Sequence, residues 1–374
     1  MKGAYNEMDV HFNAYKAKYI MMDTLLAPII RSKQIQSCNI FINLDDIFHK
    51  LHRPSVANEV QLSGEHAGKQ IISNVMNIIA HYRQWAVRKG WQTRVIAFYS
   101  SAVHGGFKNN LYVPKYRKHF CDINHELNGQ YYFINQAIRE SEKLFRIMSQ
   151  YVDKVYIIDS RFLEPSIIPL WFSEKIFRPS WNIMISRDPY DIQYSYIDTW
   201  TFICPKGDNT RIFDKSNMWD FVASLEKVKE YSTEYDPSLF PLTLSVVGDR
   251  YRNIPRIKRV GWKTLFSILK RVSKYSDDRT KTTMQILLCQ ELVSKNTSME
   301  NITNNLNAID IESQCSRIGD IENADLISQI IDIPDYENLL ELNQMYFSKY
   351  PINLQFLTEQ KEITSRVKNP FGIY

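Results

Sequence analysis

Residues 247–264 read VGDRYRNIPRIKRVGWKT, from Val247 to Thr264, and the chain changes character at this stretch. Upstream, short apolar strands alternate with helices. From Met218 onward the apolar spacing is almost entirely helical, with clear helical periods at Lys263–Tyr275, Thr282–Lys295 and Tyr336–Lys349. The step Val246-Val247-Gly248-Asp249 leads into the quoted stretch. Arg256, Lys258, Arg259 and Lys263, followed by Lys270 and Arg271, make it distinctly basic. A cluster of this kind is either a solvated helix face or a surface for phosphate.

Working back from there, continuous apolar runs mark Asn39–Leu44 (NIFINL), Arg94–Tyr99 (RVIAFY), Lys154–Asp159 (KVYIID) and Trp181–Ser186 (WNIMIS) as buried strands. Helices are expected at Gln70–Arg88, at about Tyr132–Tyr151, and at Ser166–Phe177 with Pro169 in the first turn. A hairpin is expected over Thr199–Phe213, and a short helical lead-in fills the first ~35 residues. Strand–helix alternation of this kind predicts an α/β fold: a mostly parallel central sheet with helices on both faces, followed by a helical region.

Composition bounds the rest. The chain has 374 residues and 44% hydrophobic content, enough for a real core without a disulfide or metal staple. Net charge is only +5, so nucleic-acid binding must come from local patches rather than bulk charge. Cys38, Cys121, Cys204, Cys289 and Cys315 are scattered, which argues against a zinc site and for a reducing, cytoplasmic compartment. No run is apolar and long enough to span a membrane, and the first ten residues carry no apolar stretch, so no signal peptide is expected. Richness in Ile, Asn, Lys and Tyr with only 12 Gly hints at AT-rich coding, as in a virus or an AT-rich microbe; if viral, host cytoplasm or virion would be the location. Trp171, Trp181 and Trp200 read as core, and His49, His52 and His104 as surface.

Ligands of open parallel sheets sit at the carboxyl ends of the strands, near a switch in strand order. There the sequence places Asn43, Asp45 and Asp46, then Tyr99 and Ser100, then Asp159 and Glu164, then Asp188 and Asp191. Carboxylates brought to one edge suit Mg²⁺, which takes oxygen ligands. They equally suit helix N-caps, where Asp is common.

Three stretches in order carry a family resemblance. In Val247–Thr264, the residues Gly248, Asp249, Asn253, Ile254, Pro255, Gly261, Lys263 and Thr264 resemble the helix–three-turn–helix signature of the flap endonuclease and phage five-prime nuclease superfamily. ISRDPYDIQY (Ile185–Tyr194) is similar to that family's strand-end D-x-D-x-x-Q, keeping Asp188 and Gln193. Ile96–Phe120 is similar to its F-D-G…Y-K segment, with Tyr116 and Arg117 at the Tyr-Lys. Glu164 stands at the start of the family's acidic helix. The resemblance spans roughly Asn39 to Tyr275 and implies a PIN-like domain over residues 1–235 and a helical region over 236–374.

It implies function as well. The family hydrolyses phosphodiesters with two divalent cations. Laid on its motifs, aspartates become Asn43, Tyr99, Ser166, Ile167, Tyr190 and Arg252, and only Glu164, Asp188 and Asp249 survive as catalytic and metal positions. Three carboxylates would hold no cofactor or a single weak Mg²⁺. Rescue by Asp45, Asp46, Asp159 or Asp191 stays open, although each stands out of register and a one-residue slip on a strand turns a side chain to the other face. DNA is the expected partner, its duplex backbone held by Arg256, Lys258, Arg259 and Lys263, with Tyr116, Arg117 and Lys118 meeting a single strand. Arg256 and Arg259 replace turn glycines, which is expected to alter the turn. The leading expectation is therefore a catalytically degenerate, nuclease-like DNA-binding or assembly subunit, with other viral or replication proteins as further partners and no membrane. An active Mg²⁺-dependent five-prime exonuclease or flap endonuclease, and a structural subunit of a virion or polymerase-type complex without DNA contact, are the alternatives.

Overall fold

The computed structural model describes residues 26–27, 30, 34–45, 79, 82–83, 85–86, 88–100, 107–117, 155–205, 210–226, 236–272, 281–293 and 299–331. The expected helices at Tyr132–Tyr151 and Tyr336–Lys349, together with Asp46, Lys118, Cys121 and the three named histidines, lie outside these residues. The strands are β1 (Ser37–Asn43), β2 (Gln92–Tyr99), β3 (Val155–Asp159), β4 (Trp181–Ile185), β5 (Trp200–Cys204) and β6 (Arg211–Phe213). They form one sheet in the order β3-β2-β1-β4-β5-β6. All neighbours run parallel except β5 and β6, which make the expected hairpin.

β1, β4 and β5 are buried along nearly their whole length, as strands covered on both faces must be, which explains their unbroken apolar runs. Trp85 and Trp91 meet edge to face at 5.3 Å, and Trp91 meets Trp181 in the same way at 5.6 Å. Phe41 of β1 stacks on Trp200 at 5.2 Å, and Tyr194 lies 4.3 Å from the same indole. The chain proceeds from β1 to β2 and β3 on one side, then returns to place β4 on the other side of β1. The switch in strand order therefore falls between β1 and β4, and a cleft is expected beyond their carboxyl ends.

The helices are α1 (Ile168–Lys175), α2 (Met218–Glu226), α3 (Phe240–Val247), α4 (Trp262–Val272), α5 (Lys281–Val293), α6 (Met299–Ile309), α7 (Ile311–Ser316) and α8 (Asp320–Ile331). Pro169 does sit in the first turn of α1, where its missing N–H leaves no orphan. Helices α3 to α8 join the sheet through one apolar core that runs from Phe41 and Phe98 to Leu269, Ile309 and Leu326. Gln329 of α8 closes the edge of β3, accepting the Asp159 N–H at 2.8 Å and donating to its carbonyl at 3.0 Å. Among the described residues no helix is long and apolar enough to cross a membrane.

The turn between α3 and α4 bears most on the site. α3 is buried throughout and ends at Gly248, whose φ is +79°. A Cβ there would lie 2.7 Å from the Ile254 carbonyl and 2.8 Å from the Arg256 nitrogen. Asp249 and Ile254 pair as an antiparallel bridge, and Asn305 of α6 donates to the carbonyls of Ser245 and Pro255 at 2.8 and 2.9 Å. The lost turn glycine was expected to change this geometry, yet Arg259 itself adopts φ +64°. The turn keeps a left-handed residue at a strain of about 1–2 kcal/mol. Gly248→Ala should therefore destabilise the protein by about 1–3 kcal/mol in a denaturant melt, since both φ and the close backbone approach forbid a side chain; an unchanged midpoint would contradict this turn geometry.

Candidate functional site

Beyond the carboxyl ends of β1 to β4 lies a cluster of carboxylates organised around two arginines. Glu164 follows β3, is wholly buried, and precedes the 3-10 turn Pro165–Ile167 that opens α1. A buried carboxylate must be paired, and three groups pair it. The Tyr116 hydroxyl donates to Oε2 at 2.6 Å, while Arg117 and Arg252 each donate to Oε1 at 3.2 Å. Both guanidinium groups are themselves about 1% exposed.

Each arginine then reaches outward to a different set of partners. Arg117 binds Asp45 Oδ2 at 3.1 Å and the Tyr251 hydroxyl at 3.1 Å. Arg252 binds Asp188 through both terminal nitrogens, at 3.2 and 2.6 Å, and Asp249 Oδ2 at 3.2 Å. Its guanidinium also lies 3.7 Å from the centre of the Tyr190 ring, a cation–π contact. Every carboxylate has a second anchor. Asp45 accepts the Ser100 N–H, Asp188 caps the Pro189–Tyr196 turn through the Tyr190 N–H, and Asp249 accepts the Tyr251 N–H.

Burial opposes ionisation of Glu164 and Asp188, but the arginines prevail and hold both carboxyls below the usual range, Arg117 and Arg252 for Glu164 and chiefly Arg252 for Asp188. Burial prevails at Asp45, which rises to about 6 despite Arg117, and at Asp191, which rises to about 7 with Asp188 adding to the shift. Asp191 is held from below by Asn43 Nδ2 at 2.9 Å.

Of the residues expected from sequence, Glu164, Asp188 and Asp249 do converge, bridged by Arg252. Asn43 joins them through Asp191, and Tyr99 ends β2 with its carbonyl accepting the Ser160 N–H. Tyr116 and Arg117 require correction. They were expected to meet a single strand, yet both are about 1% exposed and committed to Glu164, whose buried carboxylate they share with Arg252. Asp45 requires correction too. It was discounted as out of register, but it lies beyond the end of β1, where strand alternation no longer fixes its direction, and it enters the cluster through Arg117. Asp159 instead serves the β3 edge and the Arg161 N–H.

Arg256, Lys258, Arg259 and Lys263 stand exposed on the α3–α4 turn and the start of α4. Lys270 and Arg271 are exposed further along, Arg271 pairing with Glu291 at 2.6 Å. The buried face of α4 carries Leu265, Phe266, Ile268, Leu269 and Val272, so its cations lie on the opposite side. Among the described residues, no group of three His, Cys, Asp or Glu side chains is arranged to hold a metal ion.

No protein-family model matches the sequence, and no curated protein matches it. Among solved structures, the chain is similar to the 5'-exonuclease of bacteriophage T5 with bound zinc ions, at 14% identity over 79% of this chain and 99% of that one, with a TM-score of 0.48. It is similar to a bacteriophage T5 flap endonuclease in a pseudo-enzyme–product complex with DNA and metal ions, at 13% identity over 79% and 98%, TM-score 0.47. The catalytic core of Rad2 in complex with a DNA substrate is 9% identical over 91% and 89%, TM-score 0.32. The sheet and the helical region after it are the architecture that the sequence resemblance implies.

Two outcomes follow from the electrostatics. Glu164→Gln should destabilise the protein by about 3–5 kcal/mol in chemical denaturation, because it strands Arg117 and Arg252 without their shared counter-charge; a loss under 1 kcal/mol would refute the pairing. The second concerns pH. Asp191 is raised in the folded state, so its contribution is full below the unfolded value near 4 and is lost as pH rises toward 7. Glu164 and Asp188 act oppositely, losing their contribution as pH falls below about 4. Asp191→Asn should therefore gain stability relative to the parent between pH 4 and 7 in thermal melts, and a constant offset across that window would contradict the assignment.

Proposed function

We propose that the chain is a nucleic-acid-binding protein on a five-prime-nuclease-like fold whose carboxylate centre no longer performs metal-dependent hydrolysis. In this reading residues 1–235 supply the sheet with Glu164 and Asp188, and residues 236–374 complete the spent centre with Asp249 and Arg252 and supply the grip on DNA. The observation that carries it is Arg252, whose guanidinium fills the space between Glu164, Asp188 and Asp249. A two-cation hydrolytic centre places its metals ~3.5–4 Å apart, and Mg²⁺ needs oxygens at ~2.0–2.1 Å. The residues present do not fit such a pair: two fixed guanidinium groups already pair with the carboxylates, and a guanidinium cannot deliver a hydroxide.

The exposed cations Arg256, Lys258, Arg259 and Lys263 support binding to a duplex backbone. They sit on a turn held rigid by Gly248, the Asp249–Ile254 bridge and Asn305, so their spacing is fixed before any partner arrives. An active Mg²⁺-dependent five-prime exonuclease or flap endonuclease is the second reading, favoured by Asp188 and Asp249, whose side chains keep 14% and 16% exposure.

Filter binding to duplex DNA at several salt concentrations, alongside a cleavage assay on five-prime-flap and nicked substrates in Mg²⁺ and Mn²⁺, tests the reading. About four phosphate contacts give a log–log salt slope near roughly −3.6. Arg256→Gly combined with Arg259→Gly should flatten that slope by about 2 and weaken all sequences alike. Absence of binding even at low salt would sink the proposal, and metal-dependent cleavage abolished by Asp188→Ala would establish the second reading instead.

A further inference from the structure

We infer that the amino edge of the sheet, opposite the carboxylate centre, is a second surface for a nucleic-acid phosphate backbone, so that one chain holds two duplex segments at once. The inference rests on the proposed nucleic-acid binding and extends it to a face where none of the motifs of the resemblance lies. Three chain segments meet there, and their backbones are tied together. Gln92 at the start of β2 donates its N–H to the Gln36 carbonyl at 3.0 Å. Ser37 at the start of β1 and Ser180 before β4 exchange bonds, each N–H meeting the other's hydroxyl at 3.1 Å, and the Ser180 hydroxyl donates to the Ser37 carbonyl at 2.7 Å. At the ~4.8 Å spacing of neighbouring strands, the starts of β2 and β4 lie about 10 Å apart across β1. The length of β1, rising ~3.3 Å per residue, separates this edge from the centre by about 20 Å, so a phosphate held beside the centre does not reach it.

The edge is rich in cations. Arg88 and Lys89 precede β2, Arg94 stands on it, Lys175 ends α1 and Arg178 precedes β4; all are exposed except Arg94, which is half-buried. Cations commonly close helices, where they complement the dipole, which accounts for Arg88, Lys89 and Lys175. Arg94 and Arg178 serve no helix end. The Arg94 guanidinium carbon lies 3.4 Å from the centre of the Phe177 ring, and Asn39 Nδ2 ties that segment to β1 by donating to the Phe177 carbonyl at 3.1 Å. A guanidinium packed on an aromatic face keeps its N–H groups in its own plane, where a phosphate can accept them. Among the described residues, no ion pair involves Arg94, Lys175 or Arg178. The described carboxylate closest in the chain is Glu174, and one strand further out Asp198 is already paired with Lys215 at 3.1 Å. The other exposed side chains here are Gln36, Gln92 and Ser180, neutral groups of the kind that join cations at phosphates. Charges spread over three segments suit a repeating row of phosphates better than a single carboxylate.

The test asks whether the protein joins two duplexes. The full-length chain is added to a duplex fixed on beads, the beads are washed, and capture of a second, labelled duplex is measured at low salt. Lys175→Glu combined with Arg178→Glu is compared with the parent, and Lys175→Gln combined with Arg178→Gln takes its place if thermal melts show that the charge reversal folds poorly. Capture is expected with the parent and should fall about tenfold or more in the variant, while its affinity for one duplex in filter binding, set by the α3–α4 turn, changes by less than about twofold. Duplex binding by the parent without capture, or capture that survives the substitutions, would overturn the inference and leave the proposed function standing. So would a labelled poly-glutamate that binds the parent as tightly as an oligonucleotide of equal charge and is released by the same two substitutions, since the edge would then belong to an acidic protein. Absence of any duplex binding would overturn this inference and the proposed function together.

Discussion

A wholly buried carboxylate shared between two wholly buried arginines is the constraint around which the site is built. Glu164 cannot remain charged at that depth without partners, and Arg117 and Arg252 cannot remain buried without it. Such networks contribute little net stability, because desolvation offsets most of the attraction, but they are unforgiving of any missing member. The consequence is specificity of arrangement: β1, β3, β4, the 107–117 segment and the α3–α4 turn must all arrive together for every charge to be matched.

The backbone bears the marks of that demand. Arg117 reaches Glu164 from a left-handed backbone at φ +46°, two residues after Lys115 at +61°, and its N–H is bonded to the Arg252 carbonyl. Across the site, Asn253 is left-handed at +57° and Arg259 at +64°. Strain of this kind persists only where the surroundings over-determine it. The surroundings do so here because α6 and α7 clasp the 107–117 segment from behind: Asn109 donates to the Ala308 carbonyl and to Gln314 at 3.1 and 2.8 Å. The same α6 fixes the α3–α4 turn through Asn305. One helix thus sets both the buried centre and the turn that carries the exposed cations.

The sheet was legible in the sequence because buried parallel strands leave continuous apolar runs, and each predicted strand falls within two residues of its observed bounds. The turn at Gly248 was legible because a left-handed residue in close backbone contact leaves glycine as the fitting choice. What could not be read was which charges would meet. Arg117 looks like a surface cation in sequence; nothing local shows that it faces a carboxylate 47 positions away. Asp45 failed the register argument because that argument holds only inside a strand. Arg252 was visible as a cation displacing a carboxylate, three residues after Asp249, but its simultaneous grip on Glu164 and Asp188 depends on two long-range approaches that no spacing encodes.

The central claim is that the arginines leave no room for a divalent ion in the protein as it stands. Crystals of the unmodified protein soaked in Mn²⁺ and measured at an energy where manganese scatters anomalously would test it most directly. The account predicts no anomalous peak between Glu164, Asp188 and Asp249, with Arg252 still bonded to all three. A peak at that position, with the guanidinium displaced to admit the ion, would contradict it.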